Sequence, residues 1–284
     1  GNERNMDKRQ KILLAFLLAG HLILLVFGAV NMPVGHDESG MLLVSKEVIN
    51  GRIPVLDINA HNQPLFYYFY GMWMKLFGFS IVTARFLSVL AMFAVGLLLF
   101  WWANRFLQNY FVAIICYILY VSSPVIFSTN IGVMPYAISN LFMFASFVVI
   151  SAAYIRDKTF ECKWPLFFSG FLLGISLGAR LIFTLPVVFA IWLIFVMLKN
   201  GVGIKDMSKK TAIFSFGVFI PLIPAILIFI LEPVRAYAIW GGIFAQVFMG
   251  KGSNPDFMTN IFKEVKTKMM LRGIIELVKR PDTI

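Results

Sequence analysis

Long apolar runs alternate with short polar breaks along most of the chain, and the runs have the length that crosses a bilayer. A span needs about 20 mostly apolar residues. The pattern predicts spans near 12–32, 84–103, 110–127, 135–155, 164–179, 181–198 and 211–231. Trp164 to Leu198 is one apolar stretch. As a single helix it would measure about 50 Å, against roughly 30 Å of hydrocarbon. It must therefore turn, and Gly178-Ala179-Arg180 is the natural place, since Arg180 belongs at the interface and Gly178 tolerates a bend.

After the first span the pattern changes. Met41, Val44 and Val48 recur at helical spacing, and Asn50-Gly51 supplies a stop. This predicts a short helix lying on the membrane surface, with Asp37 and Glu38 at its N-terminal end, where the helix dipole favours an ionised carboxylate. Pro64 starts a second helix that runs through Phe66, Tyr67, Tyr70 and Trp73 to Gly78. At roughly 21 Å it is too short to cross, and its aromatic residues favour the interface. Beyond Leu231, 236–250 and 257–279 read as surface-lying helices. The expected fold class is all-α: a polytopic transmembrane helical bundle over 1–231 with an outer loop over 33–83, followed by an outward-facing amphipathic tail over 232–284.

Composition supports this and excludes a soluble domain: 60% of the 284 residues are hydrophobic, 14% are charged, and mean hydropathy is +0.82. A net charge of +11 raises nucleic acid as a partner. However, the cations sit in short clusters between apolar runs, the pattern of topology signals and lipid head-group contacts, so no nucleic acid is expected. Cys116 and Cys162 make no disulfide framework. The first apolar run is longer than a signal-peptide core and has no small-x-small site before Pro33, which makes it a retained helix.

Loop charges set the expected orientation. With a cytoplasmic N terminus, the inner segments carry Arg4, Lys8, Arg9, Lys11, Arg105, Arg156, Lys158, Lys163, Lys199, Lys205, Lys209 and Lys210. The outer ones before the tail carry Lys46, Arg52, Lys75, Arg85 and Arg180. The loop holding His36, Asp37, Glu38, Asp57, Asn59, His61, Asn62 and Gln63 then faces outward, from a bacterial inner (plasma) membrane or into an organelle lumen.

Several stretches in this region together carry a resemblance: Asp37-Glu38 after the first span, Asn50-Gly51-Arg52-Ile53-Pro54-Val55-Leu56-Asp57, Gln63-Pro64-Leu65 with its aromatics, Leu76-Phe77-Gly78, and Ala84-Arg85-Phe86-Leu87-Ser88. The chain resembles the GT-C-fold membrane glycosyltransferases of the dolichyl-phosphate-mannose-protein mannosyltransferase type, which include the lipid A aminoarabinose transferases. The motifs cover about 37–88. To about 198 the likeness is in span order, with Gly170, Gly174 and Gly178 followed by basic Arg180. The resemblance implies sugar transfer from a polyprenyl-phosphate donor to a lipid, glycan or protein acceptor, with Asp37 in the position of the catalytic acid and Glu38 beside it.

Three departures stand out. Asn62-Gln63-Pro64 replaces a Lys-Pro-Pro-like segment, and Ser128 to Met134 lacks the second acid that some relatives of the fold carry, which leaves a divalent metal open. Most members are also longer, so the sequence is expected to be partial or truncated.

The residues support such chemistry on their own terms. A polyprenyl phosphate leaves as a stable anion, so the acceptor hydroxyl is what needs help, and one carboxylate can act as its general base. Asp37 is the candidate. Arg52, Arg85 and Arg180 are candidates for the phosphate because a guanidinium holds two oxygens at once. Asp57 and His61 complete the candidate substrate-binding set.

Each assignment has a structural alternative. Asp37 and Glu38 suit helix capping, Arg85 and Arg180 suit snorkelling anchors, His21 suits a hydrogen bond to a neighbouring helix, and the spaced glycines suit a packing face. Two other classes also stay open: a transporter or flippase of a lipid-linked substrate, and an inactive paralogue.

Overall fold

A computed structural model describes residues 7–180, 184–236 and Trp240. Apart from Ala236 and Trp240, the predicted tail helices lie outside the described residues. Every regular element among the described residues is a helix, the one exception being an isolated bridge between Pro54 and Ile58. Among the described residues, four helices are long and apolar enough to cross a membrane: α1 (Lys8–Asn31), α4 (Ile81–Leu107), α7 (Pro135–Arg156) and α10 (Ile204–Leu231). A fifth crossing is available if α5 (Tyr110–Val121) and α6 (Pro124–Asn130) act together.

The sequence pattern treats 110–127 as one span, whereas the chain bends there by 56°. Ser122-Ser123-Pro124 accounts for the break: Ser123 caps α6 through the amide of Ile126, and Pro124 brings no amide hydrogen to continue α5. The helix is interrupted near Arg180, where the turn is expected: α8 (Trp164–Ala179) ends before it and α9 (Thr184–Lys199) begins after it. At 16 residues each, these helices are shorter than a full span.

Local chemistry sets the helix ends. Asp7 and Gln10 form a reciprocal capping box at the start of α1, where the Gln10 amide donates to Asp7 Oδ1 at 2.7 Å. Ser80 caps α4 through the Thr83 amide. The two short predicted helices are present as α2 (His36–Ile49) and α3 (Pro64–Phe77). The loop between them is anchored by Val55 and Ala60, both fully buried, and Val55 takes a strained left-handed φ of 71°.

The bundle is held at several levels. α8 and α10 cross with their backbones touching: a Cβ on Gly174 would lie 2.3 Å from the Val218 carbonyl oxygen. Only glycine permits that approach. α7 and α8 are joined by two serine pairs, Ser146 with Ser169 and Ser139 with Ser176, each bonding across to a backbone carbonyl. α1 is tied mid-helix by His21, buried at 3% exposure, whose Nδ1 lies 2.7 Å from the Tyr117 hydroxyl on α5. The main apolar cluster sits where α1, α2, α3, α4 and the segment after α6 meet, and it includes Ala236 and Trp240.

Candidate active site

The corner between α1 and α2 is built on one ion pair. Glu38 is the third residue of α2, and its Oε2 reaches back to the Gly35 amide at 3.3 Å, satisfying an otherwise open helix-start donor. Arg85 enters from the second turn of α4. Its Nε and Nη2 donate to Glu38 Oε1 and Oε2, both at 2.8 Å. The remaining guanidinium hydrogens go to carbonyls at the end of α1: Nη1 donates to Ala29 (3.0 Å) and Met32 (2.6 Å), and Nη2 to Pro33 (3.0 Å). Arg85 thus closes the C terminus of α1 while Glu38 closes the N terminus of α2.

Glu38 Oε1 also accepts the Val133 amide at 2.9 Å. This fixes the irregular segment between α6 and α7, where Ile131 and Val133 are fully buried. Ser88, one turn along α4 from Arg85, donates to the Gly132 carbonyl at 2.8 Å. With that hydrogen spent, Ser88 Oγ accepts from the Tyr70 hydroxyl at 2.6 Å, and the Met134 carbonyl lies 3.3 Å from the same hydroxyl. Buried backbone polar groups must be paired, and here side chains from three helices do the pairing. Burial pushes the Glu38 carboxyl upward. The Arg85 hydrogen bonds and charge, with the amides of Val133 and Gly35, outweigh that and hold it below the usual glutamate value.

Two expected roles are corrected by this geometry. A guanidinium has five N–H donors, and all five of Arg85 are committed within the protein, leaving none for a substrate phosphate. Glu38, expected beside Asp37 as a catalytic carboxylate, has both oxygens occupied and is 3% exposed. It ties α2 to α4 and to the segment after α6.

The other candidates stand apart from the pair. Asp37 is exposed on the first turn of α2 and makes no hydrogen bond or ion pair with a described residue. Arg52 pairs with Glu47 at 3.1 Å on an exposed surface. Asp57 accepts the Ile53 amide at 2.7 Å and stabilises its own turn. His61 is exposed beside buried Ala60. Arg180 caps the end of α8, half-buried, with its guanidinium 3.8 Å from the centre of the Tyr136 ring. It makes no hydrogen bond from that group to a described residue. Tyr136 follows Val133 by three residues, so Arg180 and Glu38 belong to the same end of the bundle. Among the described residues, no three His, Cys, Asp or Glu side chains converge as a metal site.

Sequence reasoning missed Val133, Ser88, Tyr70 and Tyr136. Arg85 and Ser88 could have been paired from their spacing of three on one helix, which places them on one face. The Val133 amide carries no side-chain signal.

Comparison with protein-family models, with curated proteins and with solved structures gives no match to this chain. The fold defines its class: the described residues are all-helical, with four helices able to cross a membrane, or five spans if α5 and α6 count as one, compatible with a multi-pass membrane protein.

Proposed function

We propose that the chain is an integral membrane glycosyltransferase that moves a sugar from a polyprenyl-phosphate-linked donor to a lipid, glycan or protein acceptor. In this reading the Asp37 loop lies outside the cytoplasm, on the outer face of a bacterial inner membrane. The observation that carries the reading is the division of labour in Asp37-Glu38. Glu38 is spent on Arg85, which leaves Asp37 as an exposed carboxylate on a helical turn that its neighbour holds rigid.

Asp37 would take the acceptor hydroxyl proton as the acceptor oxygen bonds to the anomeric carbon. The anomeric bond to the phosphate oxygen breaks in the same displacement, the phosphate leaves as an anion, and the sugar centre inverts. Arg180, steadied on Tyr136 with its donors unspent on the described residues, suits the leaving phosphate. Asp57 and His61 stand on the adjoining loop, at the rim where an acceptor would approach.

The test is transfer from a panel of radiolabelled polyprenyl-phosphate sugars, with membrane extract as acceptor, by the purified protein and by its Asp37→Asn variant. Transfer is expected from the parent protein, with a loss of about 10²–10⁴-fold in a variant of unchanged thermal stability. No transfer with any donor by the well-folded parent protein would reject the reading.

The bent α5–α6 pair and the buried irregular segment after it support a second reading, a transporter or flippase of a lipid-linked substrate, because broken helices at membrane depth are common around transported ligands. Movement of a fluorescent lipid-linked sugar across proteoliposomes without transfer would favour it.

A further inference from the structure

At the end of the bundle opposite Glu38, two loops meet: 157–163 between α7 and α8, and 200–203 between α9 and α10. Lys210 of α10 ties the first of them to α10. Its ammonium is nearly buried and donates to the Thr159 carbonyl at 2.8 Å and to Glu161 Oε1 at 3.3 Å. Phe160, buried at 1% exposure, packs in a cluster with Val196, Met197, Val202 and Met207.

The acids of this rim are consumed internally. Asp157 accepts the amides of Thr159 and Glu161 and the Thr159 hydroxyl, and Glu161 pairs with Lys210. Those hydrogen bonds, first of all that of the Thr159 hydroxyl, hold the Asp157 carboxyl below the usual aspartate value. The cations are not consumed. Arg156, Lys158, Lys163, Lys199, Lys205 and Lys209 are all exposed, none forms an ion pair with a described acid, and Asp206 is the one acid of the two segments left uncommitted among the described residues. Just along the helices from these charges, apolar side chains stand out: Ile155, Trp164, Leu198 and Ile204 are 47%, 67%, 54% and 77% exposed. A ring of cations above a skirt of tryptophan and aliphatic side chains matches the change from headgroup to acyl chain in a leaflet.

We propose that this rim is a docking surface for anionic phospholipid headgroups, with Lys158, Lys163, Lys205 and Lys209 as the phosphate contacts. The internal bonding of Asp157 and Glu161 engages these carboxylates within the loop and with Lys210, so that none of the four lysines is tied up in an ion pair with a described acid. The inference does not depend on the catalytic reading.

The test uses the full chain in detergent micelles doped with phosphatidylglycerol, with phosphatidylcholine, or with inorganic phosphate alone, and reads retained lipid by native mass spectrometry and thermal stability in parallel. Phosphatidylglycerol is expected to be retained and to raise the unfolding temperature, whereas phosphatidylcholine and free phosphate are not. Each lysine changed to glutamine is expected to weaken retention about fivefold. The paired variants Lys158→Gln/Lys163→Gln and Lys205→Gln/Lys209→Gln keep the test readable should the fourfold variant not fold. A control changing Lys46 and Lys75, exposed on the segments of the opposite side, to glutamine should leave retention unchanged. Equal retention of both lipids, an equal response to free phosphate, or loss only in the control would overturn the proposal.

Discussion

The Glu38 carboxylate and the Arg85 guanidinium meet through two 2.8 Å hydrogen bonds, with side chains only 3% and 2% exposed. Removing one partner leaves a buried charge without its complement, which typically costs about 3–5 kcal/mol, whereas replacing both with apolar residues of similar size costs far less. Glu38→Leu and Arg85→Met are each expected to lower stability by about that amount, and the double variant by much less than their sum. A double-mutant cycle on thermal unfolding in detergent checks this, and additive losses would show the two residues to be independent.

Acid should loosen the same corner. A carboxyl whose pKa is depressed by folding contributes stability that is complete above its unfolded value, 4.5 for this glutamate, and is lost as pH falls below that through the folded value. Thermal stability should therefore fall more steeply below pH 4.5 in the parent protein than in Glu38→Gln, which has no carboxyl to protonate at this position.

On the proposed reaction, Arg180 and Tyr136 should act on donor binding more than on the chemical step. Arg180→Gln is expected to raise the donor KM about tenfold or more, and Arg180→Lys less, because it keeps the charge but loses the planar stack. Tyr136→Ala should cost about two- to fivefold, the scale of an exposed cation–π contact, while Tyr136→Phe keeps the ring and should stay near the parent value. An effect confined to kcat would place Arg180 elsewhere in the mechanism.

The α8–α10 crossing offers a purely structural test. Any Cβ at Gly174 lands on the Val218 carbonyl, a backbone atom that cannot rotate away. Gly174→Val should destabilise by about 1–3 kcal/mol through overpacking. By contrast, a Cβ at Gly20 on α1 meets nothing within 4 Å, and Gly20→Ala should be neutral or slightly stabilising.

Between α1 and α5, Tyr117→Phe would strand the His21 ring nitrogen. The expected loss is about 1 kcal/mol, recovered in part by pairing it with His21→Leu. A larger loss in the double variant would mean that the two side chains pack rather than bond.

The helices were legible in the sequence because apolar run length and proline or glycine punctuation are local signals. α2, α3 and the helix break at Arg180 follow directly from residues such as Pro64, Gly78 and Gly178. The bend at Pro124 was present in the same signals but lay inside a run whose hydropathy alone reads as continuous. The site was legible as a set of residues and illegible as a set of partners. Nothing local separates Asp37 from Glu38, because which of them faces the core depends on where Arg85 and the Val133 amide arrive. An amide has no residue type to betray it, and the commitment of all five Arg85 donors depends on Glu38 and on three carbonyls at and just past the end of α1.

The corner that holds Glu38 also imposes an order on synthesis. Arg85 follows Glu38 by 47 residues and Val133 follows it by 95. A nascent chain that has delivered α1 and α2 thus carries a carboxylate with its local Gly35 amide but without its two distant partners. The first two helices can be locked together only once α4 has been inserted, and the lock closes fully when the segment before α7 arrives. A ribosome-stalled series long enough to bring first Arg85 and then Val133 out of the exit tunnel should accordingly show protection of the Glu38 region appearing in two steps, the first with Arg85 and the second with Val133.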